Sequence, residues 1–235
     1  MTEKMKSNRF GLSGFQLKMI AMITMLIDHL GAILFPQYFW MRKVGRLAFP
    51  IFAFLLVEGF LHTKDVYAYL KRLFLFALIS EPFFDFAFYG KWFTLEHQNI
   101  FFTLVLSLGL MKLLDDNPGM GQKILCFAGI AVLAELIGCD YGTGGVLTIL
   151  IFYQYRQNKL WMSLFFAVIH MFMWGTFSVQ SYAVLALMPI LLYNRRRGMH
   201  VKYAFYIFYP AHLLILGIWS LWMKGVHFWS AFITG

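Results

Sequence analysis

The chain has 235 residues, of which 60% are hydrophobic and only 13% are charged. Soluble globular proteins carry about 25% charged residues, so this composition excludes a soluble fold and indicates a protein embedded in lipid. The net charge is +9, but the basic residues stand in short breaks between apolar runs without interleaved exposed aromatic residues, which excludes a nucleic-acid-binding module.

Nine apolar segments predict helices, because a helix needs about 20 mainly apolar residues to cross the hydrocarbon of a bilayer. In chain order they are Leu17–Pro36, Gly45–His62, Leu70–Tyr89, Asn99–Leu114, Lys123–Gly138, Gly144–Tyr155, Leu160–Gly175, Tyr182–Tyr193 and Tyr203–Met223. Some of the four between Leu114 and Tyr203 are shorter than a full span, which favours tilted helices or irregular segments there. We therefore predict an all-α fold, a polytopic membrane bundle of about nine transmembrane helices, in a single domain that spans residues 1–235.

The basic residues predict the orientation of this bundle, because short cytoplasmic loops accumulate Lys and Arg. With the N-terminus inside, 15 of the 20 basic residues fall in inner segments and five in outer ones. The inner ones are Lys4, Lys6, Arg9, Lys18, Lys64, Lys71, Arg72, Lys112, Lys123, Arg156, Lys159, Arg195, Arg196, Arg197 and Lys202. This bias predicts a multi-pass protein of the bacterial plasma (inner) membrane with a cytoplasmic N-terminus.

Five of the 11 acidic residues lie inside apolar runs, namely Asp28, Glu58, Glu81, Asp85 and Glu135. An ionised carboxylate at mid-membrane costs roughly 2.5 to 3.5 kcal/mol, so these groups must be paired, hydrated, protonated or close to a membrane face. Ionisable residues inside a membrane mark functional sites by default. The two cysteines have no metal-binding or redox spacing, and no metal site is predicted.

Spacing and depth predict which polar residues meet. Glu81 and Asp85 are four residues apart on one helix face, whereas adjacent Asp28 and His29 diverge by about 100° and must face different neighbours. With the N-terminus inside, one set of polar residues falls in the outer half of the bundle, where it would converge on a cavity that opens outward. This set is Asp28, His29, Arg46, Glu81, Asp85, Asn99, Glu135, Asp140 and Tyr141.

Several segments resemble signatures of the TraX family, which is named for the enzyme that acetylates the pilin N-terminus in conjugative plasmids. The similar segments occur in order along nearly the whole chain. They are Leu17–Gly31, Gly45–Phe54, Glu58–Phe60, Ile79–Asp85, Asn99 with Phe101–Thr103, Asp140–Gly142 and Phe208–Leu213.

The resemblance implies a membrane acyltransferase that moves an acetyl group from cytoplasmic acetyl-CoA to an acceptor at the outer face. It implies that His29 is the general base or, as the weaker alternative, a transient acyl carrier. Asp28 or Asp85 would orient its imidazole, and Glu81 would join them in the catalytic group. The acceptor stays open between a peptide N-terminus, a sugar and a small molecule.

The resemblance also suggests binding residues. Arg46 and Asn99 would contact the thioester region of acetyl-CoA, and basic residues of the inner loops, Lys71, Arg72 and Arg195–Arg197, would hold its phosphates. Substrate-binding residues would be Glu58, Asp140, Tyr141 and His212.

Two other functions fit parts of the sequence. Intramembrane carboxylates and histidines also build proton relays, so a proton-coupled transporter is the main alternative. The polar residues are concentrated in the first half of the chain and do not repeat in the second, which weighs against a transporter built from two similar halves. A non-catalytic membrane assembly factor would leave the five acids in the apolar runs without a chemical role.

Overall fold

The computed structural model describes residues 10–116, 118–199 and 202–225, and this part of the chain is all-α. Its α-helices are α1 (Gly14–Ile33), α2 (Phe39–Gly45), α3 (Ala48–His62), α4 (Val66–Tyr89), α5 (Ile100–Asp115), α6 (Met120–Leu136), α7 (Gly142–Tyr155), α8 (Lys159–Trp174), α9 (Leu187–Leu191) and α10 (Lys202–Met223). A 3₁₀ helix, Val179–Ala186, lies between α8 and α9. The predicted all-α class is confirmed for these residues.

Each of the nine predicted segments corresponds to helical structure, with two differences. The predicted helix Tyr182–Tyr193 is a 3₁₀ helix followed by the five-residue α9. The short α2 was not predicted, because its seven residues include Arg42 and Lys43 and are too few to form an apolar run. Among the described residues, three helical stretches are long and apolar enough to cross a membrane, which are Gly14–Ile33, Phe39–His62 and Phe205–Met223. The count of nine spans stays a prediction.

Helix α3 forms the centre of the bundle. Its residues Ile51, Ala53 and Val57 have no exposed surface, and it packs against α1, α5, α7 and the 3₁₀ helix. Apolar side chains also cover the outside of the bundle, where Ile79 and Phe172 are exposed. Large exposed apolar surfaces are rare on soluble monomers, so these residues fit a lipid-facing surface. The chain is a helical membrane protein.

One end of the bundle collects basic residues from distant parts of the chain. Helix α1 begins with a capping box, in which Ser13 and Gln16 satisfy each other's backbone N–H groups. The same turn is tied to the segment after α9, because Gly14 N–H donates to the Arg196 carbonyl at 2.7 Å. This end therefore places Lys18 beside Arg195–Arg197, and we call it the basic end. Of the other predicted inner residues, Lys4, Lys6 and Arg9 lie outside the described residues.

Candidate functional site

A polar cavity of about 270 Å³ lies at the end of the bundle opposite the basic end. It is lined by α1, the junction of α2 and α3, the end of α4, the loop before α7, and α10. We call it the His29 cavity. Its ionisable lining residues include Asp28, His29, Arg42, Arg46, His97, Asp140, Tyr141 and Tyr209. The sequence-based prediction that Asp28, His29, Arg46, Asp140 and Tyr141 share one cavity agrees with this arrangement.

Asp28 lies between two guanidinium groups. Its Oδ2 is 2.5 Å from Arg42 Nη1, and its Oδ1 is 3.1 Å from Arg46 Nη2. The Asp28 side chain is only 13% exposed, so water screens these contacts weakly. Within this cluster, one carboxylate is therefore shared by two guanidiniums.

Arg46 connects this ion pair to three other parts of the fold. Its Nη1 donates to Gln180 Oε1 of the 3₁₀ helix at 3.1 Å and to the Tyr141 hydroxyl at 3.4 Å. The Tyr141 ring in turn stacks on Phe49 of α3, with centroids 3.9 Å apart. Arg46 is therefore fixed on the cavity wall by several elements and does not extend toward the lipid headgroups.

His29 contacts a second histidine and no carboxylate among the described residues. Its Nδ1 is 2.7 Å from Nε2 of His212 on α10, and the ring also meets the edge of Phe88. We expected Asp28 or Asp85 to orient this imidazole, and the structure corrects that. Asp28 bonds the two arginines, since adjacent residues on a helix diverge. His212, predicted to bind substrate, is the partner of His29.

Glu81 and Asn99 form a buried cluster outside the His29 cavity. Glu81 Oε2 accepts hydrogen bonds from the backbone N–H and the side-chain amide of Asn99. The Asn99 amide nitrogen also donates to the Ala77 carbonyl at 2.8 Å, and its oxygen accepts from Phe101 N–H at the start of α5. An amide nitrogen has two hydrogens. Both donors of Asn99 are used, so the predicted contact with a thioester oxygen does not fit this arrangement.

Two more predicted outer residues stabilise local backbone. Asp85 accepts a hydrogen bond from Thr94 N–H at 2.8 Å, in the loop that follows α4. Glu135 accepts from Thr143 N–H at 2.7 Å, in the first turn of α7. Carboxylates at helix N-termini satisfy free N–H groups. Neither residue lines the His29 cavity, so depth along the helices predicted their level in the bundle but not their direction.

The loop before α7 supplies two lining groups. Burial raises the pKa of the Asp140 carboxyl to about 6, against an opposing effect of Arg46. Burial also raises the pKa of the Tyr141 phenol to about 12. Tyr141 is therefore a neutral hydroxyl near neutral pH, whereas Asp140 gains or loses its charge close to pH 6.

A second cavity, of about 530 Å³, lies at the basic end. We call it the basic cavity. Its cationic lining residues are Lys18, Lys64, Arg72, Arg195 and Arg197, and the aromatic ones are Tyr69, Tyr193 and Tyr206. Arg72 is partly buried and its Nε has no hydrogen-bond partner among the described residues. Lys71, which was grouped with Arg72 in the sequence analysis, is exposed and lines neither cavity.

Glu58 lies at the edge of the basic cavity. Its Oε1 forms an ion pair with Arg156 at the end of α7. One turn later, His62 Nδ1 is 2.8 Å from the Glu58 carbonyl. The side chain of Glu58 is therefore held by a cation of the bundle itself, which does not favour its predicted role in substrate binding.

The sequence analysis missed Arg42 and His97 as cavity residues. Arg42 carried a usable signal, because it lies four residues before Arg46 and helical spacing places both on one face. His97 carried none, since it is in the loop between α4 and α5, where no periodicity predicts direction.

Comparisons with known proteins identify the family. A family model described as TraX protein matches residues 13–220. The probable fimbrial assembly protein FimC, serogroup H1, of Dichelobacter nodosus is 30% identical, over 89% of this chain and 96% of that protein. Protein TraX of Escherichia coli strain K12 is 24% identical, over 87% of this chain and 86% of that protein. No solved structure matches. The chain belongs to the TraX family.

Proposed function

We propose that the protein is a membrane acetyltransferase that uses acetyl-CoA from the basic end of the bundle and an amine or hydroxyl acceptor at the opposite end. The observation that carries this proposal is the His29 cavity, in which an imidazole and two fixed guanidiniums line one shared space. One relative is a probable fimbrial assembly protein, which supports an acceptor associated with surface filaments. A peptide N-terminus therefore ranks before a sugar or a small molecule.

Residues of the His29 cavity can carry out the proton transfers and stabilise the negative charge that acetyl transfer requires. His29 accepts the proton of the acceptor as its nitrogen or oxygen bonds to the acetyl carbon. Arg46 offsets the negative charge that develops on the thioester oxygen, an effect that exclusion of water strengthens. When the carbon–sulfur bond breaks, the same His29 proton passes to the sulfur, and free coenzyme A and the acetylated acceptor leave.

The basic cavity suits the phosphate groups of coenzyme A. In the described part of the chain, five cationic side chains line it, and the Nε–H of Arg72 is a buried donor without an acceptor. Arg46 and Glu58 are 12 residues apart near the two ends of α3, which places the cavities about 18 Å apart along that helix at 1.5 Å per residue. A donor with phosphates at one end and a thioester on a long arm matches this separation.

Arg72→Gln is expected to raise the KM for acetyl-CoA about tenfold or more, with little change in kcat, because a charge-assisted phosphate contact contributes about 1.5 to 3 kcal/mol. Lys71→Gln is the matched comparison, since the adjacent side chain is exposed outside the cavity. Initial rates of acetyl-CoA turnover by the purified proteins in detergent give KM and kcat for both variants. Equal effects of the two substitutions would contradict phosphate binding in the basic cavity.

We also propose that the basic end faces the cytoplasm, as the loop charges indicate. In a variant with Cys126 and Cys139 replaced by Ser, a cysteine at Lys91, in the loop after α4, is expected to react with an impermeant maleimide in intact spheroplasts. A cysteine at Lys64, between α3 and α4 at the basic end, is expected to react only after lysis. The reverse pattern would place the basic end outside and contradict cytoplasmic acetyl-CoA as donor.

A direct test is the binding and slow hydrolysis of acetyl-CoA by the purified protein. The alternative, a proton-coupled transporter, predicts proton-linked uptake into liposomes without acetyl-CoA binding. That combination of results would overturn the proposal.

A further inference from the structure

The two imidazoles of the His29 cavity region lie in a common plane. Their ring planes differ by 4° and their centroids are 5.0 Å apart. The nitrogens that face each other, His29 Nδ1 and His212 Nε2, are 2.7 Å apart. The centroid separation exceeds the nitrogen separation by about two ring radii, so the rings meet edge to edge. In this arrangement an N–H of one ring points at the lone pair of the other.

The second nitrogen of His212 fixes which ring donates. His212 Nδ1 is 2.7 Å from the Phe208 backbone carbonyl, and a carbonyl oxygen only accepts. His212 therefore carries its proton on Nδ1. No ion pair joins either imidazole to a carboxylate in the described part of the chain, and the Arg42 and Arg46 guanidiniums in the same cavity disfavour a further positive charge. When both rings are neutral, His212 Nε2 is unprotonated and carries a lone pair. The N–H of His29 Nδ1 must therefore donate to it.

We propose that His212 is a positioning residue that holds His29 in the tautomer with the proton on Nδ1, so that His29 Nε2 is the basic nitrogen. A neutral imidazole has one protonated and one free ring nitrogen. The hydrogen bond to His212 occupies the protonated one, which leaves the other available to an acceptor in the cavity. His212 fills the position that a carboxylate takes in many histidine bases.

The chain of bonds also stabilises His29 after it takes a proton. The ring then becomes cationic, and its Nδ1–H bond to His212 becomes charge-assisted and stronger. The Nδ1–H of His212 still donates to the Phe208 backbone carbonyl, one helical turn away on α10. The Phe208 ring stacks on His212, with centroids 4.7 Å apart. The receiving imidazole is therefore held at both its nitrogens and on one ring face.

The catalytic role of His212 rests on the proposed acetyl transfer, whereas the assigned tautomer of His29 does not depend on it. Nitrogen-15 NMR of the wild-type protein in detergent, with the signals of the seven histidines assigned by His29→Gln and His212→Gln, measures the tautomer directly. The expected result is a protonated Nδ1 and a free Nε2 in both residues. A protonated Nε2 on His29 would overturn the proposal, even if acetyl transfer itself is observed.

Two substitutions test the effect on turnover. His212→Leu removes the acceptor and is expected to lower kcat about 10²-fold with unchanged KM for acetyl-CoA, as loss of an orienting partner commonly does. His212→Gln offers a side-chain oxygen near the position of Nε2 and is expected to keep kcat within about tenfold of wild type with the His29 tautomer retained. His170→Gln, at a buried imidazole on α8 beside Phe166, is the matched control.

If His212→Leu keeps kcat within about twofold of wild type, the positioning role is wrong. If the tautomers are as expected but neither wild type nor variants turn over acetyl-CoA, the proposed function fails while the assignment of the two rings stands.

Discussion

His29→Gln is expected to lower acetyl transfer at least about 10³-fold and to leave the affinity for acetyl-CoA unchanged. Removal of a positioned general base costs about 10² to 10⁴ in rate. The proposed phosphate-binding residues of the basic cavity lie at the other end of α3, and the substitution leaves them unchanged. Gln keeps a donor for His212 Nε2, so the substitution removes the base with little loss of packing. Steady-state turnover together with equilibrium binding of acetyl-CoA separates the two effects.

The control for this prediction is His170→Gln, which replaces a buried imidazole that lies outside the His29 cavity. It is expected to turn over acetyl-CoA at the wild-type rate. If His29→Gln retains more than about a tenth of wild-type turnover, His29 is not the base. If both substitutions abolish turnover and lower thermal stability alike, the loss comes from the fold and the catalytic role of His29 is unsupported.

Asp28→Asn is expected to lower the free energy of unfolding by about 3 to 5 kcal/mol, because it leaves two partly buried guanidiniums without their shared counter-charge. Arg42 and Arg46 are 29% and 15% exposed, so water compensates only in part. The double variant Asp28→Asn/Arg42→Gln is expected to regain part of this loss, since one uncompensated charge is removed. Unfolding by denaturing detergent, followed by circular dichroism, measures all three proteins.

The matched control is Asp116→Asn, which breaks an exposed ion pair with Lys112. Exposed pairs contribute little, and no measurable change is expected. An equally small effect of Asp28→Asn would mean that water fully compensates both guanidiniums, which contradicts a partly buried ion-pair cluster at the cavity wall.

Gly45 offers a second way to disturb the same cluster without removing a charge. The side chain of Asp28 occupies the space that a Cβ at residue 45 would fill. Gly45→Ala is therefore expected to push the carboxylate away from the arginines and to lower turnover and stability together. Overpacking of this kind typically costs about 1 to 3 kcal/mol. Gly109→Ala on α5, where nothing lies within 4 Å, is expected to cause no loss.

Hydropathy was sufficient to predict most of the helices. An apolar run has a length that the bilayer sets, so the boundaries of α1, α3 and α10 followed closely from the sequence. Helix α2 was not predicted because its seven residues are too few for a periodic signal. The segment around Tyr182 was predicted as one helix, but hydropathy does not distinguish a 3₁₀ helix from an α-helix of the same composition.

Part of the membership of the candidate site was predictable, and its contacts were less so. Asp28, His29 and Arg46 were recognised because ionisable groups in apolar helices need a shared polar environment. Their partners were not, since His212 lies 183 residues after His29 and helical spacing relates only residues within one helix. Asn99 shows the converse error. Its amide suits an oxyanion, but only the structure shows that both its donors are already used.

The central claim is that acetyl transfer occurs in the His29 cavity with coenzyme A held at the basic end. The most direct measurement is an electron cryomicroscopy structure with a non-hydrolysable acetyl-CoA analogue. We expect its phosphates beside Arg72 and Arg197, and its acetyl group within about 4 Å of His29 Nε2, a distance close to that of a reactive complex. An analogue bound elsewhere, with the acetyl group remote from His29, would contradict the account.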